Sequence, residues 1–368
     1  MKIALTTPFL KTTGGIAVHV SQLAQAYRRA GHKVMVFSSE SPTGAPGRLP
    51  ENRLLRLPAF FLELLKTGPD VIHVNAQIHM LIPALLYNLF NAKARILFNF
   101  HTQPYIAPAL PGSSPQKPSY SGLSGRIAQF LLNRCVNVVG PSPLLFSDLE
   151  KTCRITVRRH VIIPPGVDMP ETAATPAACK EKLRLAKYRP VFSTIGVLSY
   201  DWKVAGHKMC IEAMPLILEK YPDSVLVVAG RETGKHTEYL RDIADKLMLG
   251  GHVIFAGHVA SITELLLATD IYLHMALYES TTPMAVLEAM THGKPIIGVN
   301  SGGLPYSLKN GETGLLVPPD IKALAQAAIS LAGNPVLAAQ LGRNAKAHVL
   351  QNHNWDKIAE SLLSAATR

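Results

Sequence analysis

Short apolar runs alternate with amphipathic stretches of helical spacing along the whole chain. Residues 2–6 read as a strand, the Gly14–Gly15 pair as a turn, and residues 17–29 as a helix that stops before Gly31. Residues 33–38, 71–74, 96–100 and 137–139 are further strands, and 105–124, rich in Pro, Ser and Gly, is expected as a long loop. After the segment VIIPPGVD, which ends at Asp168, the pattern restarts. Strands are expected at 191–195, 224–229, 252–255 and 270–274, with helices at 207–220, 237–247 and 262–267 between them. Alternation of this kind predicts an α/β protein with parallel sheets covered on both faces. The hinge between its halves is expected between Gly166 and about Pro190.

The segment 279–320 carries the most chemistry. Pro283 suits a first helical position, where its missing N–H costs nothing, and Thr282 is then the N-cap. Met284, Leu287 and Met290 fall at helical spacing, and Gly293 ends the helix before a strand at 295–299. A loop entering a helix N-terminus offers unpaired N–H groups to an anion, so Ser280, Thr281, Thr282, Pro283 and Met284 are candidate phosphate contacts. Glu279 and Glu288 bracket that anion. Carboxylates beside a phosphate are unfavourable unless they hold something else, and sugar hydroxyls are the natural partner. The pattern describes a nucleotide-sugar site.

These residues resemble the retaining glycosyltransferases of family 4, in which two glutamates separated by seven residues precede EAM, a glycine-proline turn, a strand, GG, and a G-x-T/E-G-L-L segment. LEAM, HGKP, SGGLP and NGETGLLV correspond here. Eight residues separate Glu279 from Glu288, and Ser280 holds the strict first position, so Glu279 and Ser280 both remain candidates for it. The resemblance implies two Rossmann-like domains with parallel sheets facing across a cleft (the GT-B type fold). It implies an acceptor-binding domain at 1–165, a nucleotide-sugar-binding domain at 166–350, and a C-terminal helix at 351–368 crossing back onto the first. It also gives Glu288 the ribose hydroxyls and Glu279 the transferred sugar, and places the base near His258 in HVIFAGHV.

Other positions add to this reading. Gly14 and Gly15 let the backbone approach a diphosphate, without the dinucleotide fingerprint that would indicate a nicotinamide cofactor. His101 follows a strand, where ligands of parallel sheets bind, and the family has a histidine there near the anomeric carbon. His73 reads as a packed core residue, and His19 is open between the two roles. Lys203 is a candidate cation for the leaving phosphate. The family's arginine after the strand glycine is replaced by Val197, for which Arg231 is a candidate substitute. Tyr306 stands where the family has an acidic residue. No Asp-x-Asp occurs, so no metal or other cofactor is expected.

The chain has 368 residues, enough for two full cores, with 48% hydrophobic and 17% charged residues. Four scattered cysteines match neither a metal spacing nor a disulfide framework, and the N-terminus reads as a strand rather than a signal peptide, so a cytoplasmic protein is expected. Residues 1–165 hold 18 Lys and Arg against 6 Asp and Glu, whereas 166–368 hold 19 of each, so the net charge of +12 belongs to the first half. No motif supports nucleic acid as the partner. Residues 52–66 (NRLLRLPAFFLELLK) combine Leu and Phe with Arg53, Arg56 and Lys66, as either a core-facing helix or a segment lying on an anionic membrane. The sequence thus predicts a metal-independent, retaining glycosyltransferase that moves a sugar from a nucleotide-diphosphate donor to a hydroxyl acceptor, lipid-linked or saccharide. The alternatives are a nucleotide-sugar epimerase of the same architecture and a non-catalytic binding relative.

Overall fold

The computed structural model describes residues 1–8, 15–41, 46–101, 120–198, 201–231, 234–277, 279 and 283–367, with the side chain of residue 53 excepted. They form two compact units. The first takes in the described residues up to Gly166 together with those from Asn352 onward, and the second is Val167–Gln351.

The first unit runs β1 (Lys2–Thr6), α1 (Gly15–Arg29), β2 (Lys33–Phe37), α2 (Arg53–Thr67), β3 (Val71–Asn75), α3 (Leu81–Phe90), β4 (Arg95–Asn99), α4 (Gly122–Leu132), β5 (Asn137–Gly140), α5 (Pro143–Lys151) and β6 (His160–Ile162). The second runs α6 (Pro176–Lys182), β7 (Val191–Ile195), α7 (Asp201–Leu218), β8 (Val225–Ala229), α8 (Gly234–Lys246), β9 (Val253–Gly257), α9 (Ile262–Ala268), β10 (Ile271–His274), α10 (Met284–Thr291), β11 (Ile296–Val299), β12 (Leu315–Val317), α11 (Ile321–Ala332) and α12 (Pro335–Asn352). A last helix, α13 (Trp355–Thr367), belongs to the first unit.

Each unit is built on a six-stranded sheet, in the orders β2-β1-β3-β4-β5-β6 and β12-β11-β10-β7-β8-β9, with every paired neighbour parallel. The fold class expected from strand–helix alternation is the one observed. Strand order reverses between β1 and β3 in the first sheet and between β7 and β10 in the second. Ligands of such sheets bind beyond the carboxyl ends at that reversal.

In the first unit, α2, α3, α4 and α5 cover one face of the sheet. α1 and α13 cover the other, where Ile358, Ala359, Leu362 and Ala366 pack with Leu23 and Tyr27 on Ile3, Leu97 and Val139. Asn137 Nδ2 donates to the Ala365 carbonyl at 2.7 Å, and a Cβ on Gly166 would sit 2.4 Å from the Trp355 ring. α13 is therefore a seated layer of this unit rather than a tail.

Several elements depart from the sequence expectation. α7 starts at Asp201, not at residue 207, so Lys203 lies inside the helix. Gly206, directly before the expected start, is a close-approach glycine: a Cβ there would be 2.6 Å from the backbone of Met275 and Ala276. The expected loop at 105–124 overlaps a helix, because α4 already begins at Gly122, with Ser124 Oγ accepting the Ser121 N–H at 3.2 Å. Residues 102–119 of that loop are outside the described residues. Pro283 is the N-cap of α10 rather than its first residue.

α2 joins the two readings of residues 52–66. Asn52 caps it by accepting the Leu54 N–H at 2.9 Å, and Phe60 and Leu64 are buried against the sheet, yet Leu54, Leu55, Leu62 and Leu65 are exposed. Arg56 donates to the carbonyls of Pro50 and Glu51 at 3.1 and 2.8 Å, so its charge turns to the backbone rather than outward. The four cysteines are buried and free. Among the described residues no single helix is long and apolar enough to cross a membrane.

Candidate functional site

In the second unit the reversal point lies between β7 and β10, and its side chains come from the segments just beyond those two strands. β7 runs into Gly196. A Cβ there would stand 3.0 Å from His207 Nε2, and a Cβ on Gly230 would collide with the Gly196 carbonyl, so strand ends and helix start pack closely. One turn into α7, Lys203 Nζ reaches Glu279 Oε1 at 3.1 Å. His274, the last residue of β10, places Nε2 2.9 Å from the other oxygen, Glu279 Oε2. Glu279 is only 7% exposed. Burial alone would raise its pKa, but the Lys203 ammonium and the His274 hydrogen bond outweigh it and hold the carboxyl at about 2. Nearby, His207 contacts Thr194 Oγ1 at 3.2 Å, and burial, reinforced by His274 and Lys203, lowers its pKa to about 3.

The Gly302–Gly303 turn closes over the same residue. Gly303 N–H donates to the Glu279 carbonyl, and Gly302 has φ +64°, with a Cβ there lying 2.4 Å from that oxygen. Only glycine fits. The GG pair of the SGGLP segment thus clamps Glu279, a role that the sequence did not reveal.

Glu288 differs from Glu279 in every respect. It lies inside α10, half-buried, and among the described residues its carboxylate has no hydrogen-bond donor. Burial, followed by the charge of Asp168, raises its pKa to about 7. The first N–H groups of α10, on Met284 and Ala285, begin the same helix, capped by the extended Pro283. Ser280, Thr281 and Thr282 are outside the described residues, as is Gly14; Gly15 is the first residue of α1.

The remaining donor-side candidates are more peripheral. Arg231 is exposed just beyond β8, its carbonyl accepting the Leu198 N–H at 3.3 Å. His258 is exposed directly after β9. Val197 and Tyr306 are exposed. Among the described residues no group of three or more His, Cys, Asp or Glu is arranged to hold a metal ion.

The first unit gathers histidines at the carboxyl ends of β3 and β4. β4 ends at Asn99, so His101 lies two residues past the strand rather than next to it. His101 Nε2 is 2.8 Å from Asn75 Oδ1. The Asn75 amide in turn donates to the His73 carbonyl at 3.3 Å. His19 Nε2 faces Asn99 Nδ2 at 3.3 Å, and its ring meets those of His101 and Trp355 edge-on, with centroids 4.5 and 5.2 Å away. Burial lowers the pKa of His19 to about 4 and, with His19 adding to it, that of His73 to about 3; His101 is lowered in the same way. All three are neutral imidazoles near neutral pH. His73 is the packed core residue expected, fully buried with neither ring nitrogen paired among the described residues. Asn75, Asn99 and His19 were not linked to His101 by the sequence, because no spacing connects residues so far apart.

Two family models cover nearly all of the chain: Glycosyltransferase Family 4 over residues 13–170 and Glycosyl transferases group 1 over residues 178–348. The chain belongs to glycosyltransferase family 4. Among curated relatives, this family 4 glycosyltransferase is 26% identical to phosphatidyl-myo-inositol mannosyltransferase of Mycobacterium leprae, over 99% of this chain and 96% of that protein. It is 23% identical to the lipopolysaccharide core biosynthesis mannosyltransferase LpsB of Rhizobium meliloti, over 96% of this chain and 94% of that one. The structure of HepE from Anabaena, solved with UDP and glucose, matches with a TM-score of 0.75 at 19% identity, over 100% of this chain and 99% of the other. That likeness establishes the fold, a GT-B glycosyltransferase architecture.

Proposed function

We propose that this family 4 glycosyltransferase moves a sugar from a nucleotide-diphosphate donor to a hydroxyl acceptor with retention of anomeric configuration. The observation that carries the reading is Glu288: a half-buried carboxylate that finds no donor among the described residues, on a helix whose first N–H groups, on Met284 and Ala285, find no acceptor among them. A ribose diol supplies the missing donors, and the adjacent diphosphate meets the helix N-terminus.

At the opposite side of the reversal point, Lys203 gives one of its three N–H bonds to Glu279 and keeps the others for a departing phosphate oxygen. In the proposed front-face transfer, the bond from the anomeric carbon to the phosphate oxygen breaks while the acceptor oxygen bonds the same face. The acceptor proton passes to the leaving phosphate. Lys203 and backbone N–H groups carry the growing charge without a metal. His258 and Arg231 serve the base and diphosphate, and His101, oriented by Asn75, serves the acceptor in the first unit. Glu279 acts chiefly through Lys203 and His274, since both its oxygens are engaged.

The names of the two mannosyltransferase relatives favour a mannosyl donor and a lipid or lipopolysaccharide-core acceptor. Thermal-shift screening of nucleotide sugars, GDP-mannose first, tests the donor, since a ligand stabilises with the logarithm of its concentration over Kd. NMR of the anomeric proton in the product then tests retention. No stabilisation by any nucleotide sugar would remove the reading.

A further inference from the structure

The first unit turns an apolar face to solvent that its own fold does not cover. α2, α3 and α4 lie side by side over one face of the first sheet, with Phe60, Leu64, Leu81, Ala84, Ala128 and Leu131 packed inward. The outer arcs of such helices are ordinarily polar. Here α2 exposes Leu54, Leu55, Leu62 and Leu65; α3 exposes Ile82, Leu86, Leu89 and Phe90; and α4 exposes Leu123, Ile127 and Phe130. On each helix these positions fall within one arc, and all three arcs point away from the sheet. Three short helices thereby hold 11 of the 21 large hydrophobic residues exposed among the described residues, a concentration that scattered surface apolar residues do not produce.

The charge on and between the three helices is mainly basic. Glu63 is the single carboxylate on the three helices, and Lys66 pairs with it at 2.9 Å. Lys93, Arg126 and Arg134 are exposed beside the stripes, and the Arg134 guanidinium lies over the Phe130 ring, 4.7 Å from its centroid. Arg126 and Arg154 also line a cavity of about 390 Å³ next to α4, extending the basic surface into a hollow.

We propose that the outer face of α2, α3 and α4 docks on an anionic lipid bilayer, its Leu, Ile and Phe side chains entering the headgroup region while Lys93, Arg126 and Arg134 meet lipid phosphates. A second copy of this chain fits the face less well, since it would bring like charge against like. The inference deepens the proposed function by giving a lipid-linked acceptor a surface from which to reach the enzyme.

Cosedimentation of the full chain with phosphatidylcholine vesicles, with and without phosphatidylglycerol and free of donor and acceptor, tests it. Binding is expected to require phosphatidylglycerol and to weaken with salt. Leu54, Leu89 and Leu123 are 84%, 79% and 73% exposed, so Leu54→Ser, Leu89→Ser and Leu123→Ser together leave the core intact. The triple variant should keep the parent's circular dichroism and lower vesicle partitioning by on the order of tenfold or more. Equal partitioning of variant and parent overturns the proposal. So does a parent that ignores the vesicles and sediments as a dimer that the variant dissociates. Because the vesicles hold no substrate, failure here leaves transfer untouched, and failure of transfer leaves vesicle binding untouched.

Discussion

Lys203 Nζ and Glu279 Oε1 stand 3.1 Å apart although 76 positions separate them in the chain, one inside α7 and the other beyond β10. The pair lies at the strand-order reversal of the second sheet, so one set of substitutions tests both its stability and its proposed chemistry. Lys203→Ala leaves the buried Glu279 charge with His274 alone, so stability should fall by about 3–5 kcal/mol. Glu279→Gln in the same chain should restore most of that loss without restoring turnover. Denaturant melts and initial rates on the four chains of this cycle check it; rates that recover with stability would make the lysine purely structural.

If Lys203 and backbone N–H groups meet the leaving phosphate as proposed, transfer should continue in excess chelator. Rates measured with and without EDTA, then with added manganese, decide the matter. Activity abolished by the chelator and restored by the metal refutes the leaving-group assignment.

Glu288→Ala should weaken donor affinity by on the order of tenfold to a hundredfold, since a hydrogen bond to a charged group is worth about 1.5–3 kcal/mol. Calorimetric titration with the donor's nucleoside diphosphate reads this directly. Unchanged affinity rules out the ribose role.

The two glutamates should shape the pH dependence of stability with opposite signs. Glu279 is held at about 2, below its ordinary 4.5, so its contribution is present above about 4.5 and is lost as pH falls toward 2. Glu288 is raised from 4.5 to about 7, so its contribution is full below about 4.5 and lost as pH rises through 7. Across that upper window Glu288→Gln should gain in Tm relative to the parent as pH increases. A constant difference between the two melting curves from pH 4 to 9 contradicts the raised pKa.

Gly206→Ala should destabilise the second unit by roughly 1–3 kcal/mol, the ordinary range for overpacking, because the new Cβ meets backbone rather than a movable side chain. Urea unfolding of the variant measures it.

Strands buried on both faces were the most legible part of the sequence: 2–6 and 191–195 match β1 and β7 residue for residue. Runs of this type have little freedom to be anything else. Helix starts were less legible where a glycine had two possible meanings. Gly206 could mark a boundary or a close approach, and only the position of Met275 distinguishes them. In the candidate site, Glu279, Lys203 and Glu288 were legible as individuals. Their arrangement was not: the sequence did not reveal that Lys203 and His274 occupy both oxygens of Glu279 while Glu288 finds no donor among the described residues. The Asn75–His101 contact was hidden for the same reason, since a pairing of that kind is made by strand order rather than by spacing.

The seating of α13 has a consequence for the protein's synthesis. Ile3, Leu97 and Val139 belong to strands made early, yet part of their cover is Trp355, Ile358 and Leu362, among the last residues described. A growing chain therefore carries an uncapped apolar groove throughout translation of the second unit, and the first unit acquires its complete core only after that unit has left the ribosome. A nascent chain stalled before Trp355 should accordingly be a better chaperone client than one released with α13 in place.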